Sequence, residues 1–453
     1  MRSPTFRREL RELFRLALPL AAAQAGTQMM GLVDIAVLGR VGAAELAGSG
    51  LANAVYFAVS VFGMGVVFGV DPLISQAIGA GDAVRARHLL WQGSWLALAV
   101  TAALTVLLLA AALLIPYAGV QPELVSPAMS FLIVRTFSLA PFLLFFVIRA
   151  YLQALHQTRP LVTAMIVANV VNFGLDLYLV FGGSGLPVWC GPLRNMPALG
   201  VKGAALSTVA ATITEVLIVI IAVRRILVPG PVARRWHGAA IRQAFRTGLP
   251  VGLQLGAEIG VFALVGVIAA RLGTLQLAAH QTVIGIASFT YTAALGVASA
   301  GSVRVGRAIG ARDPAATRAA GHAAFLGGGL VMAVAATSFA LFPGALARLI
   351  TDQANVIAAA IPLFTVAAVF QMSDGIQAVG SGVLRGAGDT KYTFTVNLIG
   401  HWFVGLPVAL YLGFRANLGI VGLWWGLCAG LTVVAVLLFL RFEKLSRSEI
   451  RPL

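Results

Sequence analysis

Apolar residues run along this chain in stretches of about twenty, separated by charged positions or by turns that contain Pro or Gly. Twelve such stretches lie near positions 14–38, 50–78, 88–115, 128–154, 160–182, 200–223, 245–270, 276–309, 319–349, 356–385, 391–414 and 418–441. A membrane-spanning helix needs about 20 predominantly apolar residues. The pattern therefore predicts an all-α polytopic membrane protein with twelve transmembrane helices, numbered below as spans one to twelve.

Composition supports this class of protein. Of the 453 residues, 59% are hydrophobic and only 11% are charged, whereas soluble domains are about 25% charged. A membrane β-barrel is not favoured, because its strands would alternate apolar and polar residues over segments of roughly ten.

The basic residues are distributed unevenly between the two sides of the predicted spans. Of the 32 Lys and Arg, 25 lie on the side of the termini, and the other side holds Arg40, Arg135, Arg194, Lys202, Arg271, Arg348 and Arg415. This bias predicts that both termini are cytoplasmic. The net charge of +16 is then explained by topology and by contacts with the lipid bilayer, so no nucleic-acid partner is expected.

An internal repeat divides the chain into two halves. FRLALP (14–19) recurs as FRTGLP (245–250), an offset of 231, and DPLISQAIGAGD (71–82) meets SVRVGRAIGARD (302–313) in the same register. Each half holds six spans, so both enter the membrane in the same direction. We expect two six-helix lobes related by a pseudo-two-fold along the membrane normal, as in duplicated transporters.

The repeat also predicts domain boundaries. Residues 1–223 form the first lobe, 224–244 a basic cytoplasmic linker, and 245–453 the second lobe. A cavity between the lobes is the expected place for a transported substrate.

Polar residues in the first half fall on helix faces at 100° per residue. Asp34 shares an arc with Gln24 and Gln28 in span one, and Asp176 shares an arc with Asn169 and Asn172 in span five. Asp34, Asp176 and Thr208 of span six lie at similar depth, so we expect one pocket. A carboxylate inside a span usually marks function.

The second half has its own polar stripes. Glu258 follows Gln254 by four residues in span seven, and Asp374 shares an arc with Gln371 in span ten. Gln281 of span eight is a further cavity-lining candidate. Gly252, Gly256 and Gly260 predict a close packing face on the other side of span seven from Glu258. For Glu215 in span six, structural and functional roles are equally open.

Buried carboxylates of this kind bind a proton near neutral pH, or a desolvated Na⁺ if other oxygens help. Asp34, Asn172, Asp176 and Thr208 supply such oxygens, so Na⁺ is a candidate ligand of this group. A cationic substrate would compete for the same negative charge. No other metal and no cofactor is expected.

Three motifs resemble the multidrug and toxic compound extrusion (MATE) family: GVDPLISQAIGAGD (69–82), GSGVLRGAGDT (380–390) and NLIGHWFVGLPVALYLGF (397–414). With the repeat, the similarity covers essentially the whole chain. It implies two six-helix lobes arranged in a V and antiport of organic cations against Na⁺ or H⁺.

The resemblance also implies roles for single residues. Asp34 matches the family's first-span acid. Asn172, Asp176 and Thr208 match the first-lobe cation site of one bacterial branch, while Glu258 and Asp374 match second-lobe acids of other branches. Because the chain carries both sets, the coupling ion and the dominant site stay open.

The resulting hypothesis is a monomeric exporter of organic cations or amphipathic drugs in a bacterial inner membrane, driven by an ion gradient because no GxxxxGK[ST] motif is present. A lipid-linked oligosaccharide flippase is one alternative, but it predicts arginines along the cavity. A membrane-embedded enzyme needs clustered His or a nucleophile with its base, which the six scattered histidines do not provide. A channel is a third alternative.

Overall fold

The computed structural model describes residues 4–185, 188–448 and 450–453, and the regular elements within these ranges are all helices. The main helices run over Pro4–Leu38, Ala43–Val67, Val70–Gly79, Ala83–Leu114, Pro122–Thr136, Leu139–Ala154, Arg159–Phe181, Val201–Arg224, Gly238–Leu272, Thr274–Gly310, Pro314–Leu341, Pro343–Arg348, Ala354–Gly386, Thr390–Leu398, Leu406–Leu410 and Gly419–Ser446. Ile399–Gly405 and Tyr411–Arg415 are π-helical. Ile115–Tyr117, Gly183–Gly185 and Val188–Asn195 are short 3₁₀ turns.

The helices form twelve spans in the predicted order. Eleven are long and apolar enough to cross a membrane, and the fourth span is the pair Pro122–Thr136 and Leu139–Ala154, which is bent by 43°. Span two is Ala43–Gly79, with a short break, and span eleven is Thr390–Arg415. The all-helical, polytopic fold predicted from the apolar stretches is confirmed.

The repeated G-x-(G/R)-D sequences are the turns between spans at the end of the molecule that carries the termini. Gly81 and Arg312 both have positive φ, +78° and +54°, which ends the preceding helix in a left-handed residue. Asp82 and Asp313 follow and cap the next helices, accepting hydrogen bonds from the backbone N–H of Arg85 and Ala316 at 2.8 Å. Each turn thus combines a helix stop with a helix start.

The two halves contact each other where span two crosses span eight, and the contacts at this crossing are reciprocal. Gly79 packs on the backbone of Arg307, and Gly310 packs on the backbone of Gln76. Gly79 and Gly310 are 231 positions apart, as are Gln76 and Arg307. When two residues touch and their counterparts in the other half also touch each other, the two halves are related by a two-fold axis. The pseudo-two-fold therefore passes between these helix ends.

Next to this crossing, spans two and seven meet through glycines. Gly65 packs on the backbone of Gly252, and Gly69 packs on the backbone of Gly248. We call these four residues the glycine seam. Within each span the two glycines are four residues apart, which places them on one helix face and lets the backbones approach closely.

The repeat generates the equivalent contact elsewhere. Gly296 of span eight, the counterpart of Gly65, packs on Ala17 and Ala21 of span one, which are the counterparts of Gly248 and Gly252. The two halves are therefore joined by two equivalent helix pairs, both in the half of the molecule nearest the termini.

The predicted packing face of Gly252, Gly256 and Gly260 is wrong as a single face. Gly252 contacts Phe62 of span two, Gly260 contacts Trp402 of span eleven, and a Cβ at Gly256 would meet no heavy atom within 4 Å. Residues four apart are rotated by about 40° on an α-helix. Three glycines at this spacing thus turn away from one another toward different neighbours.

The segment between the halves is fastened to span three. His88 Nδ1 lies 2.8 Å from the carbonyl oxygen of Ala233, and Trp95 donates to the carbonyl oxygen of Arg234 at 2.9 Å. Gln92 bonds both Arg235 and His237 at 2.9 Å. Span seven begins at Gly238, so the last residues of the predicted linker are already helical.

Candidate functional site

Asp34, Asn172, Asp176 and Thr208 come together in the first half, near the ends of spans one and five away from the termini. Asn172 Nδ2 donates to Asp34 Oδ1 at 3.1 Å, and Thr208 Oγ1 donates to Asp34 Oδ2 at 3.1 Å. Asp176 lies within hydrogen-bonding reach of Asp34. We call these four residues the acid pair site. They come from three spans, one, five and six, which pack side by side.

Two acceptors in the acid pair site lack a partner. Asn172 is 1% exposed and Asp176 is 0% exposed, yet Asn172 Oδ1 and Asp176 Oδ2 receive no hydrogen bond. Buried acceptors without donors are costly, and two adjacent carboxylates repel each other. A proton or a Na⁺ ion between these oxygens relieves both problems. Carboxylate, amide and hydroxyl oxygens are the ligands that a hard cation prefers.

Ser207 is a functional candidate that the sequence reasoning missed. Its hydroxyl donates a short hydrogen bond to Asp176 Oδ1, while its neighbour Thr208 serves Asp34. Adjacent residues on a helix point about 100° apart. Span five packs against both span one and span six, so Ser207 reaches Asp176 of span five while Thr208 reaches Asp34 of span one. The pair Ser-Thr in the sequence was the available signal.

The second half contains a separate acidic region. Gln377 Nε2 of span ten lies 3.4 Å from Glu258 Oε2 and donates at 2.8 Å to Asn397 Oδ1 of span eleven. Asp374, one turn before Gln377, is buried at 6% exposure. The hydroxyl of Tyr291 in span eight lies within electrostatic reach of both acids. Glu258 and Asp374 thus share one neighbourhood, separate from the acid pair site.

Span eleven holds Asn397 through an irregular helix. The π-helical stretch Ile399–Gly405 follows directly, and Pro407 in the next turn has no N–H to donate to the preceding turn. Gly400 and Gly405 pack closely on Gly430 of span twelve. His401, inside this stretch, is buried with Nδ1 2.9 Å from the Asn397 carbonyl oxygen. Local π-helix is frequent at functional sites.

The six predicted cavity-lining residues occupy different surroundings. Gln24 and Asn169 are half-buried, and Gln28 and Gln281 are exposed. Asn169 donates to the carbonyl oxygen of Met165 at 2.9 Å. Gln254 is buried and donates to Ser381 at 3.3 Å, and Gln371 is buried and bonds Thr290. The last two are contacts between helices of the second half.

Glu215 belongs to a buried charged cluster near the termini end. It faces Arg149 of span four, whose guanidinium stacks on the ring of Phe68 at 5.2 Å. Arg385 of span ten lies over the same ring at 4.7 Å and pairs with Asp71 at 3.5 Å. The cluster therefore joins three spans of the first half to one span of the second.

Twelve spans in two crossed halves, with buried acids away from the crossing, define a membrane transporter of the alternating-access class. Comparison with known proteins agrees. The MatE family model matches residues 19–178 and 250–411. The two stretches begin at Pro19 and Pro250, the last residues of the two FR-x-x-LP motifs. The chain is 35% identical over 458 residues to "Probable multidrug resistance protein NorM" of Pseudomonas putida, covering 96% of this chain and 94% of that one.

Other relatives extend the likeness. A protein of the same name from Deinococcus radiodurans is 37% identical over 452 residues, covering 97% of this chain and 96% of that one. The solved structure of the eukaryotic MATE transporter AtDTX14 superposes with a TM-score of 0.84 at 21% identity over 98% of both chains. An outward-facing MATE structure of the MOP superfamily gives 0.86 at 20% identity, with 97% of this chain and 96% of that one covered.

The chain belongs to the MATE family, and the resemblance of its motifs to that family is confirmed. It is a transporter and not an enzyme, so the enzyme alternative is excluded.

Proposed function

We propose that the protein exports cationic or amphipathic drugs from a bacterial cell in exchange for Na⁺ or H⁺. The observation that carries the proposal is the acid pair site, where two carboxyls and two unpartnered buried oxygens converge. The NorM name of its relatives supports drug export. Glu258 and Asp374 provide a second negative region for a cation or for the substrate.

The coupling follows from competition for charge. A cation at the acid pair site neutralises carboxylates that would otherwise attract an organic cation into the cavity between the halves. Binding of the inorganic cation in the outward-open state therefore favours release of the drug. The empty carboxylates in the inward-open state favour its capture.

The positive-inside bias supports cytoplasmic termini in the inner membrane. With this orientation the glycine seam and the span two–span eight crossing close the cytoplasmic side, which corresponds to an outward-facing state. We propose that residues 1–223 and 245–453 act as the two lobes that rock about this region. We expect the transport cavity between the two halves of one chain, which supports a monomer as the functional unit.

The test is dye efflux in inverted membrane vesicles, with Na⁺ and pH gradients imposed separately. Asp34→Asn removes one charge of the acid pair site, and we expect efflux below about a tenth of wild type, since losing a buried charged partner costs several kcal/mol. Asp352→Asn, an exposed acid, is the matched control and should transport normally.

The two gradients separate the coupling ions. Transport driven by ΔpH without Na⁺ indicates proton coupling, and transport that needs Na⁺ at constant pH indicates sodium coupling. Wild-type efflux by Asp34→Asn at equal expression would refute the assigned site.

A further inference from the structure

A cavity of about 400 Å³ opens at the termini end of the second half, between the first turns of span seven and span eleven. Arg242 and Arg246 line it from span seven, and Lys391 lines it from span eleven. Its back is closed by Thr390, whose hydroxyl donates to the carbonyl oxygen of Thr247 at 2.7 Å. The cavity is remote from the acid pair site.

The cations of this cavity are not neutralised by the protein. Among the described residues, the ion pairs found do not include Arg242, Arg246 or Lys391. The one acid in the lining, Asp389, pairs with Arg441 at 2.7 Å. The cavity is therefore lined by three cationic side chains and one carboxylate that is already paired, and it carries a net positive charge.

Apolar side chains continue from these cations toward the middle of the membrane. Arg242 and Arg246 share a helix face with Leu253, which is 42% exposed. In span eleven, Ile399, 44% exposed, and Phe403, 70% exposed, follow Lys391 along the helix. Exposed apolar residues in the middle of a span contact acyl chains.

Spans seven and eleven contact each other along this path. The Trp402 indole donates to the carbonyl oxygen of Ala257 at 3.0 Å, so the two spans touch at the depth of these exposed apolar residues. Exposed apolar residues below a cationic cavity match the polarity and charge of a phospholipid, with its tail below and its phosphate above.

We propose that this cavity binds the phosphate of an anionic phospholipid headgroup, held by Arg242, Arg246 and Lys391, with an acyl chain lying along Leu253, Ile399 and Phe403. The lipid bridges the starts of spans seven and eleven, which flank the second acidic region. The same cations would also accept a free phosphate ion, and the experiment below separates the two sources.

The experiment is native mass spectrometry of the full-length protein in a neutral detergent, titrated with phosphatidylglycerol, phosphatidylcholine or inorganic phosphate. The double variant Arg242→Gln, Lys391→Gln is compared with Arg224→Gln, an exposed arginine on the same side of the molecule. We expect the double variant to bind phosphatidylglycerol about tenfold more weakly or worse, since each basic residue near an anionic lipid contributes to its binding. Arg224→Gln should bind like wild type.

Equal loss in both variants, or none in either, overturns the site. Inorganic phosphate that displaces phosphatidylglycerol at millimolar concentration would show a soluble-anion site instead of a lipid site. If the double variant does not fold, Lys391→Gln alone replaces it, because this exposed residue carries no packing. Asp34→Asn should bind the lipid normally, so this proposal stands or falls independently of the transport assignment.

Discussion

At the scale of single residues, the acid pair site depends on one hydroxyl. Ser207 donates to Asp176, and nothing else found among the described residues donates to that carboxyl. The hydrogen bond fixes the carboxyl's orientation and favours its charged form. Ser207 is therefore a positioning residue for the coupling cation.

Ser207→Ala should weaken cation coupling. Loss of a hydrogen bond to a charged group costs about 1.5–3 kcal/mol, so with Na⁺ as the coupling ion we expect the Na⁺ concentration for half-maximal efflux to rise about tenfold. Dye efflux at graded Na⁺ concentrations and constant pH measures this. Thr214→Ala removes a hydroxyl from the same span that bonds only a helix carbonyl and should change little. Rescue by Ser207→Thr is expected, and equal shifts in both alanine variants would contradict the role.

The polar stripes predicted most residues of this site but not the hydrogen bonds between them. Spacing alone placed Asn172 and Asp176 on one face, and depth connected them with Asp34. Ser207 was not predicted because its role depends on which spans are neighbours. Helical angles within one span carry no information about which other spans pack against it. For the same reason, spacing did not reveal that Gln371 bonds Thr290 of another helix.

At the scale of helices, the glycine seam sets how closely spans two and seven approach. A side chain at Gly248 would overlap the carbonyl oxygen of Val66, so Gly248→Val should push these spans apart at the termini end. Closure there would be lost and the outward-facing population should fall to a minority. Spin labels at Gln157 and Ala315, both exposed, would then show a longer label-to-label distance than in the wild type by double electron–electron resonance.

Gly256→Val is the control for this prediction. It adds the same side chain to the same span, where a Cβ would meet nothing within 4 Å. Its label distance should stay that of the wild type. If Gly248→Val folds poorly, Gly248→Ala gives a smaller change in the same direction. A wild-type distance in both Gly248 variants would show that the seam does not control closure.

The helices themselves were well predicted by the apolar stretches, because length and hydropathy decide what can cross a membrane. The exception is the irregular part of span eleven. Its π-helical stretch depends on Pro407 together with the close packing of Gly400 and Gly405 on span twelve, and only the proline is visible in a pattern of apolar residues.

At the scale of the whole molecule, the scaffold is symmetric but the acids are not. The repeat relates the turns, the crossing and the seam, yet the counterpart of Asp34 is Val265 and that of Glu258 is Thr27. The repeat therefore gives the two halves equivalent scaffolds, while their buried acids lie at different positions. The repeat could predict the first property and gave no information about the second.

One contact between the halves should respond to pH. Arg307 Nη1 lies 2.9 Å from Nε2 of His156, in the turn between spans four and five. Partial burial, with the positive charges of Arg307, Arg304 and Arg15 outweighing Glu12, lowers the pKa of His156 to about 4. An unfolded histidine has a pKa near 6.5.

The unfolded state therefore binds the proton first, and the stability due to neutral His156 is complete above about pH 6.5 and lost as the pH falls toward 4. His156→Gln keeps an acceptor for Arg307 without titrating. Over this range, the melting temperature of the purified wild type should fall more steeply than that of the variant, while the two match at pH 8. Parallel curves throughout would contradict this reasoning.

The glycine seam has a further consequence for the transport cycle. In the proposed cycle, water must enter the seam when the halves separate at the termini end, and it must leave when they close. Glycine and alanine present little apolar area, and the hydration cost is only about 25 cal/mol per Å². A seam of Leu or Phe would bind the closed state too tightly to open. Small residues instead give a fit that is specific in shape and costs little to hydrate, so the joint can open without a large loss of apolar contact.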